Sequence, residues 1–160
     1  MNFIDTLWAY VLVFLLAAAP FFEAYGVIPL ALIAGLSPLP VIILGLAGNI
    51  FTVYLVIVFI NKIKEWRKKK KGDDEEKAPT KRTIRAQKLW NKYGLPGLAM
   101  IGPLVVGSHL TAFMSLTFGG TKRKTAYWMT ASIVIWSITF AILIHFGIDL
   151  LGFENRNYFD

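Results

Sequence analysis

Apolar positions run almost unbroken through residues 41–61 and 125–150, and each stretch predicts a transmembrane helix. The second would be about 39 Å long at the rise of an α-helix. Residues 3–19 form a shorter apolar run that ends at Pro20. It lacks a basic leader and a small-residue cleavage site, so it reads as a retained helix and not as a signal peptide. A short span is the first expectation for it, and a helix in the outer interface the alternative. Two further apolar stretches are broken by glycine and proline. Residues 20–40 carry Pro20, Gly26, Pro29, Gly35, Pro38 and Pro40, and residues 94–120 carry Gly94, Pro96, Gly97, Gly102, Pro103, Gly107, Gly119 and Gly120.

The polar pattern between these stretches is different. Residues 62–79 hold the runs Lys68–Lys71 and Asp73–Glu76 and read as a solvated loop. Thr80 is a candidate cap for a helix over 81–93, which has an apolar edge (Ile84, Leu89, Trp90), a basic edge and a stop at Gly94.

The distribution of charge sets the orientation. Residues 1–61 contain no Lys or Arg, whereas residues 62–92 hold 13 of the 17 and Lys122, Arg123 and Lys124 hold three more. The positive-inside rule puts both basic segments in the cytoplasm, and the tail from Gly152 to Asp160 outside. The residues 94–120 between two cytoplasmic segments must then enter the membrane and return. Two full crossings would need about 40 residues, so a re-entrant hairpin is expected. Residues 20–40 have the same broken character. Pro29–Gly35 can be laid over Pro96–Gly102, each with five apolar or small residues between Pro and Gly.

The expected architecture is therefore an all-α integral membrane protein forming one membrane domain with an inverted-topology repeat. The first half is 1–61, with re-entrant 20–40 and transmembrane 41–61. A basic cytoplasmic linker covers 62–80. The second half is 81–150, with interfacial helix 81–93, re-entrant 94–120 and transmembrane 125–150. Pro29, Gly35, Pro96, Gly102, Pro103 and Gly107 are the hairpin breaks.

Composition narrows the function. Hydrophobic types make up 56% of the 160 residues and charged types 17%, below the quarter typical of soluble domains. The absence of cysteine removes disulfides, thiolate zinc sites and cysteine nucleophiles. Two histidines without an acidic cluster do not make a metal site. No nucleophile motif, phosphate loop or dinucleotide fingerprint is present. The expectation is a non-enzyme without cofactor or metal. Membrane lipids are the expected partners, and nucleic acid is not.

Phe22-Glu23, Gly26-Val-Ile-Pro29, the basic loop, Lys92-Tyr93-Gly94 and Gly102-Pro103 together resemble the small multidrug export family over about residues 20–146. That family looks like a compact branch of the DedA (SNARE-associated, VTT-domain) superfamily. The resemblance implies re-entrant hairpins and membrane transport, in some members of lipids such as undecaprenyl phosphate or a phospholipid. DedA-type proteins carry arginines in the second hairpin. This chain has Met100-Ile101-Gly102-Pro103 there and no arginine from 93 to 121, so that role does not transfer.

Glu23 is the leading candidate residue. A carboxylate in a broken membrane segment is costly unless protonated, paired or hydrated, which suits proton exchange or recognition of a cation. The plainer alternative is a carboxylate that caps the hairpin helix. His109 is expected to pair with Glu23 across the repeat interface or to meet an anionic headgroup, against a neutral histidine satisfied locally. Ser108, Thr111, Ser115 and Thr117 are candidates for substrate hydrogen bonds, although such residues usually bond back to their own helix. Asn49, beside Gly45 and Gly48, lines a pathway or bonds a neighbouring helix. His145 and Asp149 read as a local pair.

The leading functional expectation is transport of a phosphate-bearing amphiphilic lipid, coupled to protons, by a homodimer. Proton-coupled export of lipophilic cationic drugs and a non-transporting membrane scaffold are the alternatives.

Overall fold

The computed structural model describes residues 2–71 and 80–151, and every regular element among them is helical. The helices are α1 (Phe3–Ala18), α2 (Ala24–Ile33), α3 (Pro38–Val58), α4 (Ile60–Lys71), α5 (Lys81–Val106), α6 (Ser108–Thr117) and α7 (Lys122–Leu151). The acidic run 73–76 and the tail 152–160 lie outside the described residues.

α3 and α7 are long and apolar enough to cross a bilayer. Only about a third or less of each spanning window is buried within the protein, 33% for α3 and 28% for α7. Large apolar side chains such as Leu39, Ile43, Phe51, Leu143 and Phe146 are exposed along them. Water would not tolerate that much apolar surface, and lipid does. The molecule is an α-helical membrane protein.

The chain divides into two compact units whose boundaries fall within α3 and α7. In the first, α1 packs on α2. Asn2 starts α1, its amide donating to Asp5 Oδ2 at 3.2 Å. Tyr10 Oη accepts from the Ser37 amide at 3.3 Å, which fixes the entry to α3. Pro38 then occupies the first turn of α3, where its missing N–H costs nothing. α3 approaches its neighbours through two glycines. Gly45 lies against Ile28 of α2, and Gly48 lies directly on the Phe14 carbonyl and the Ala18 amide of α1.

In the second unit, α5 packs on α6. Thr80 caps α5, accepting from the Thr83 amide at 3.3 Å. Gly94, at φ 64 and ψ −158, breaks α5 into segments 81–93 and 95–106, a conformation open to glycine and strained for other residues. The segment over 81–93 turns Leu89 and Trp90 of its apolar edge onto protein and leaves Ile84 exposed. Ala86, Leu89 and Trp90 pack with Leu98, Met114 and Phe118. Lys122 Nζ donates to the Val58 carbonyl at 3.0 Å, tying the start of α7 to the end of α3.

Several boundaries differ from the sequence expectation. Residues 62–71 are helical in α4 and not part of a loop. Lys, Arg, Glu and Trp are adequate helix formers, and no Gly or Pro interrupts them before Gly72. α3 begins at Pro38, three residues before the expected start, and α7 at Lys122.

A backbone pattern recurs 84 positions along the chain. α2 and α6 each span ten residues and start from a residue with positive φ. Those residues are Glu23 (φ 48, ψ 153) and Gly107 (φ 98, ψ 150), 84 positions apart. Each helix ends in a Schellman turn through Gly35 (φ 83) or Gly119 (φ 111). The closing bonds are Leu36 N–H to Ala31 O at 3.1 Å and Gly120 N–H to Ser115 O at 2.9 Å. The next helix opens in the same register, with Val41 N–H to Ser37 O at 3.3 Å and Thr125 N–H to Thr121 O at 2.9 Å. The buried positions of α3 (41, 45, 48, 49, 53) and α7 (125, 129, 132, 133, 137) keep that spacing. At that spacing Pro29–Gly35 falls on residues 113–119, which include the second half of α6. Residues 96–102 belong to the limb before it, as α1 comes before α2.

Candidate functional site

Glu23 is the one non-glycine residue with positive φ among those described. An L-residue there is strained by about 1–3 kcal/mol. Its side chain is only 3% exposed. It does not cap α2, because its side chain makes no cap hydrogen bond to the first turn. Instead the Tyr25 side chain, two residues on, hydrogen-bonds to it. The carboxylate thus sits at the head of α2, in protein interior, with a phenol as donor. Such a group can alternate between a proton and a cationic partner without leaving its place.

Asn49 is fully buried on α3, next to the close approach of Gly48 to α1. Ser137 of α7 is also buried in this unit, and its hydroxyl has no hydrogen-bond partner among the described residues.

The second unit presents a different set at the head of α6. Ser108 and Thr111 are fully buried. Ser108 Oγ lies 3.3 Å from His109 Nδ1. Thr111 Oγ1 donates to the Gly107 carbonyl at 2.7 Å, and Gly102 of α5 packs against the same threonine. Thr117 Oγ1 donates to the Phe113 carbonyl at 2.9 Å. Both threonines therefore bond back to their own helix, while Ser108 and His109 face each other. Ser115 and Thr125 are buried hydroxyls with no partner among the described residues. Ser132 Oγ donates to the Met100 carbonyl at 3.4 Å.

The hairpin breaks take up distinct roles. Pro29 lies inside α2, Pro96 and Pro103 inside α5, and Gly107 joins α5 to α6. The side chains of His145 and Asp149 are outside the described structure. Glu23 belongs to the first unit and His109 to the second. Among the described residues no group of three His, Asp or Glu comes together as a metal site would require. Tyr25 escaped the sequence reading. A hydroxyl-bearing ring two residues after an acid at a hairpin head was the available signal.

Two helices long and apolar enough to span a bilayer, with large apolar side chains exposed along them, define an α-helical membrane protein. Residues 23–139 match the family described as putative small multi-drug export protein, and the chain belongs to that family. The matched region opens at Glu23 and covers α2 and α6. No curated protein and no solved structure matches the chain.

Proposed function

We propose that the protein exports amphiphilic cations in exchange for protons, with Glu23 as the exchanging group. One observation carries this reading: a buried carboxylate is held at the head of α2 in a strained backbone, by a phenol and not by its own helix. A carboxylate in that setting attracts a lipophilic cation when ionised and releases it when protonated. No Lys or Arg lies in residues 1–61 or 93–121, so nothing in either hairpin repels a cation.

Within this reading α2 and α6 are re-entrant helices entering from opposite faces, as in DedA-like inverted repeats. Asn49 serves the substrate in the first unit, and Ser108, His109 and Thr111 serve it in the second. The basic segments 62–92 and 122–124 face the cytoplasm and the C-terminus faces outward. A homodimer encloses the pathway, and the protein carries out no covalent chemistry. Support for the repeat comes from the backbone events that recur 84 positions apart at Glu23 and Gly107.

A phosphate-bearing lipid is the second reading. Its support is the Ser108–His109 pair at the head of α6, which suits an anion better than the carboxylate at the head of α2 does.

Proteoliposomes with an imposed pH gradient separate the two. Gradient-driven movement of a lipophilic phosphonium or fluorescent cationic dye, absent in Glu23→Gln, is the expected result. Movement of a fluorescent lipid phosphate without cation movement would replace the first reading by the second. Failure of both, with intact folding, would leave the scaffold.

A further inference from the structure

We propose that one end of the second unit is a docking surface for anionic membrane phospholipids, built from a cationic stripe on α5 and the basic start of α7. The stripe is Lys81, Arg85, Lys88 and Lys92. Their spacing of four, three and four residues puts them within roughly 60° of one another around a helix. All four are exposed. The other side of the same segment is committed to protein, with Ala86, Leu89 and Trp90 packed under it. The helix therefore cannot roll to bury its cations, and of its apolar edge Leu89 and Trp90 are held by protein while Ile84 is exposed.

Two contacts gather the remaining cations around it. The Trp90 and Phe118 rings lie 5.7 Å apart, which sets the α6–α7 turn, with exposed Arg123 and Lys124, against the buried side of the segment that carries the stripe. The Lys122–Val58 hydrogen bond brings the same turn to the start of α4, where Lys62 and Lys64 are exposed. Among the described residues of this unit, Glu65 is the one carboxylate.

The aromatic residues indicate which polyanion fits. Trp66, Tyr93 and Tyr127 are 62%, 50% and 69% exposed, and they sit among these cations. Indole and phenol rings at the edge of an apolar span favour the headgroup region of a bilayer. A basic surface with that border matches lipid phosphates more closely than a solvated nucleic acid. This surface is independent of Glu23, and neither reading of the substrate depends on it.

The test uses the full chain in detergent micelles doped with phosphatidylglycerol or, separately, phosphatidylcholine. The midpoint of thermal unfolding is expected to rise by several degrees with the anionic lipid alone, and the rise to shrink in high salt. The variant Lys81→Gln/Arg85→Gln/Lys88→Gln/Lys92→Gln should lose most of that rise. An equal rise with phosphatidylcholine overturns the proposal, as does a full rise retained in the variant. The same rise with inorganic phosphate, or with a short oligonucleotide, overturns the lipid as the partner. Should the variant fail to fold, native mass spectrometry of the unaltered protein decides. Retention of phosphatidylglycerol about tenfold above phosphatidylcholine is expected, and equal retention overturns the surface.

Discussion

α2 and α6 are the same backbone object made from different residues. Both run for ten residues from a positive-φ start to a glycine-closed Schellman turn. In α6 the start is Gly107, which adopts that conformation without steric cost. In α2 it is Glu23, which does not. If the turn were all that mattered, glycine would serve at both places. The difference isolates what the carboxylate adds, and the proposed exchange at position 23 would account for the strain kept there. Further along, the halves differ in the opposite sense. Ala31 and Val41 of the first unit correspond to Ser115 and Thr125 of the second, where two buried hydroxyls have no partner among the described residues.

Exchanging residues between the halves tests this asymmetry, and the largest effect should come from Glu23. Both Glu23→Gln and Glu23→Gly should reduce proton-driven export to the background of empty liposomes. An active Glu23→Gly protein would mean that position 23 matters only as a turn. Next in size is the converse change, Gly107→Ala, which puts a side chain at φ 98. It should lower unfolding stability by about 1–3 kcal/mol, read from denaturation in detergent. A change near zero would show that this conformation relaxes freely.

Glu23→Gly should at the same time raise stability by about 1 kcal/mol, as strain and a buried carboxylate are both removed. Loss of stability there would instead assign Glu23 a structural role. Tyr25→Phe removes the phenol that bonds the carboxylate. It should weaken export several-fold and move its pH profile, without unfolding the protein. The smallest effect is expected from Ser115→Ala with Thr125→Val, which copies the first half into the second. Hydroxyls without partners contribute nothing, so the pair should be neutral or stabilising by up to about 1 kcal/mol. A marked loss of stability would mean that water or another group satisfies them.

Hydropathy made some of this legible and hid the rest. α3 and α7 were visible because an apolar run of that length has few alternatives. The 81–93 helix, its Thr80 cap and its break at Gly94 were visible because each has a residue-level signature. α4 was missed because a dense run of lysines suggests solvation, although charge does not prevent a helix from continuing out of α3. The recurrence at 84 positions was hidden for a more instructive reason. Matching prolines and glycines aligned Pro29–Gly35 with Pro96–Gly102, yet the recurrence lies in dihedral angles and main-chain bonds. Its first position pairs glutamate with glycine, a pairing no sequence comparison favours. Glu23 was legible as an isolated charge in an apolar stretch. That it avoids capping its own helix depends on a backbone angle that residue types do not reveal.

The seat of Gly48 on the main chain of α1 constrains how this protein can vary. A methyl group at position 48 would collide with the Phe14 carbonyl. The two helices therefore meet backbone to backbone at that point, and little of the grip depends on which side chains α1 carries there. The outward positions Ile4, Leu7, Trp8 and Leu15 are more than half exposed. They answer to lipid, which asks only that they be apolar. The first eighteen residues should accordingly drift in sequence much faster than the single glycine that anchors them.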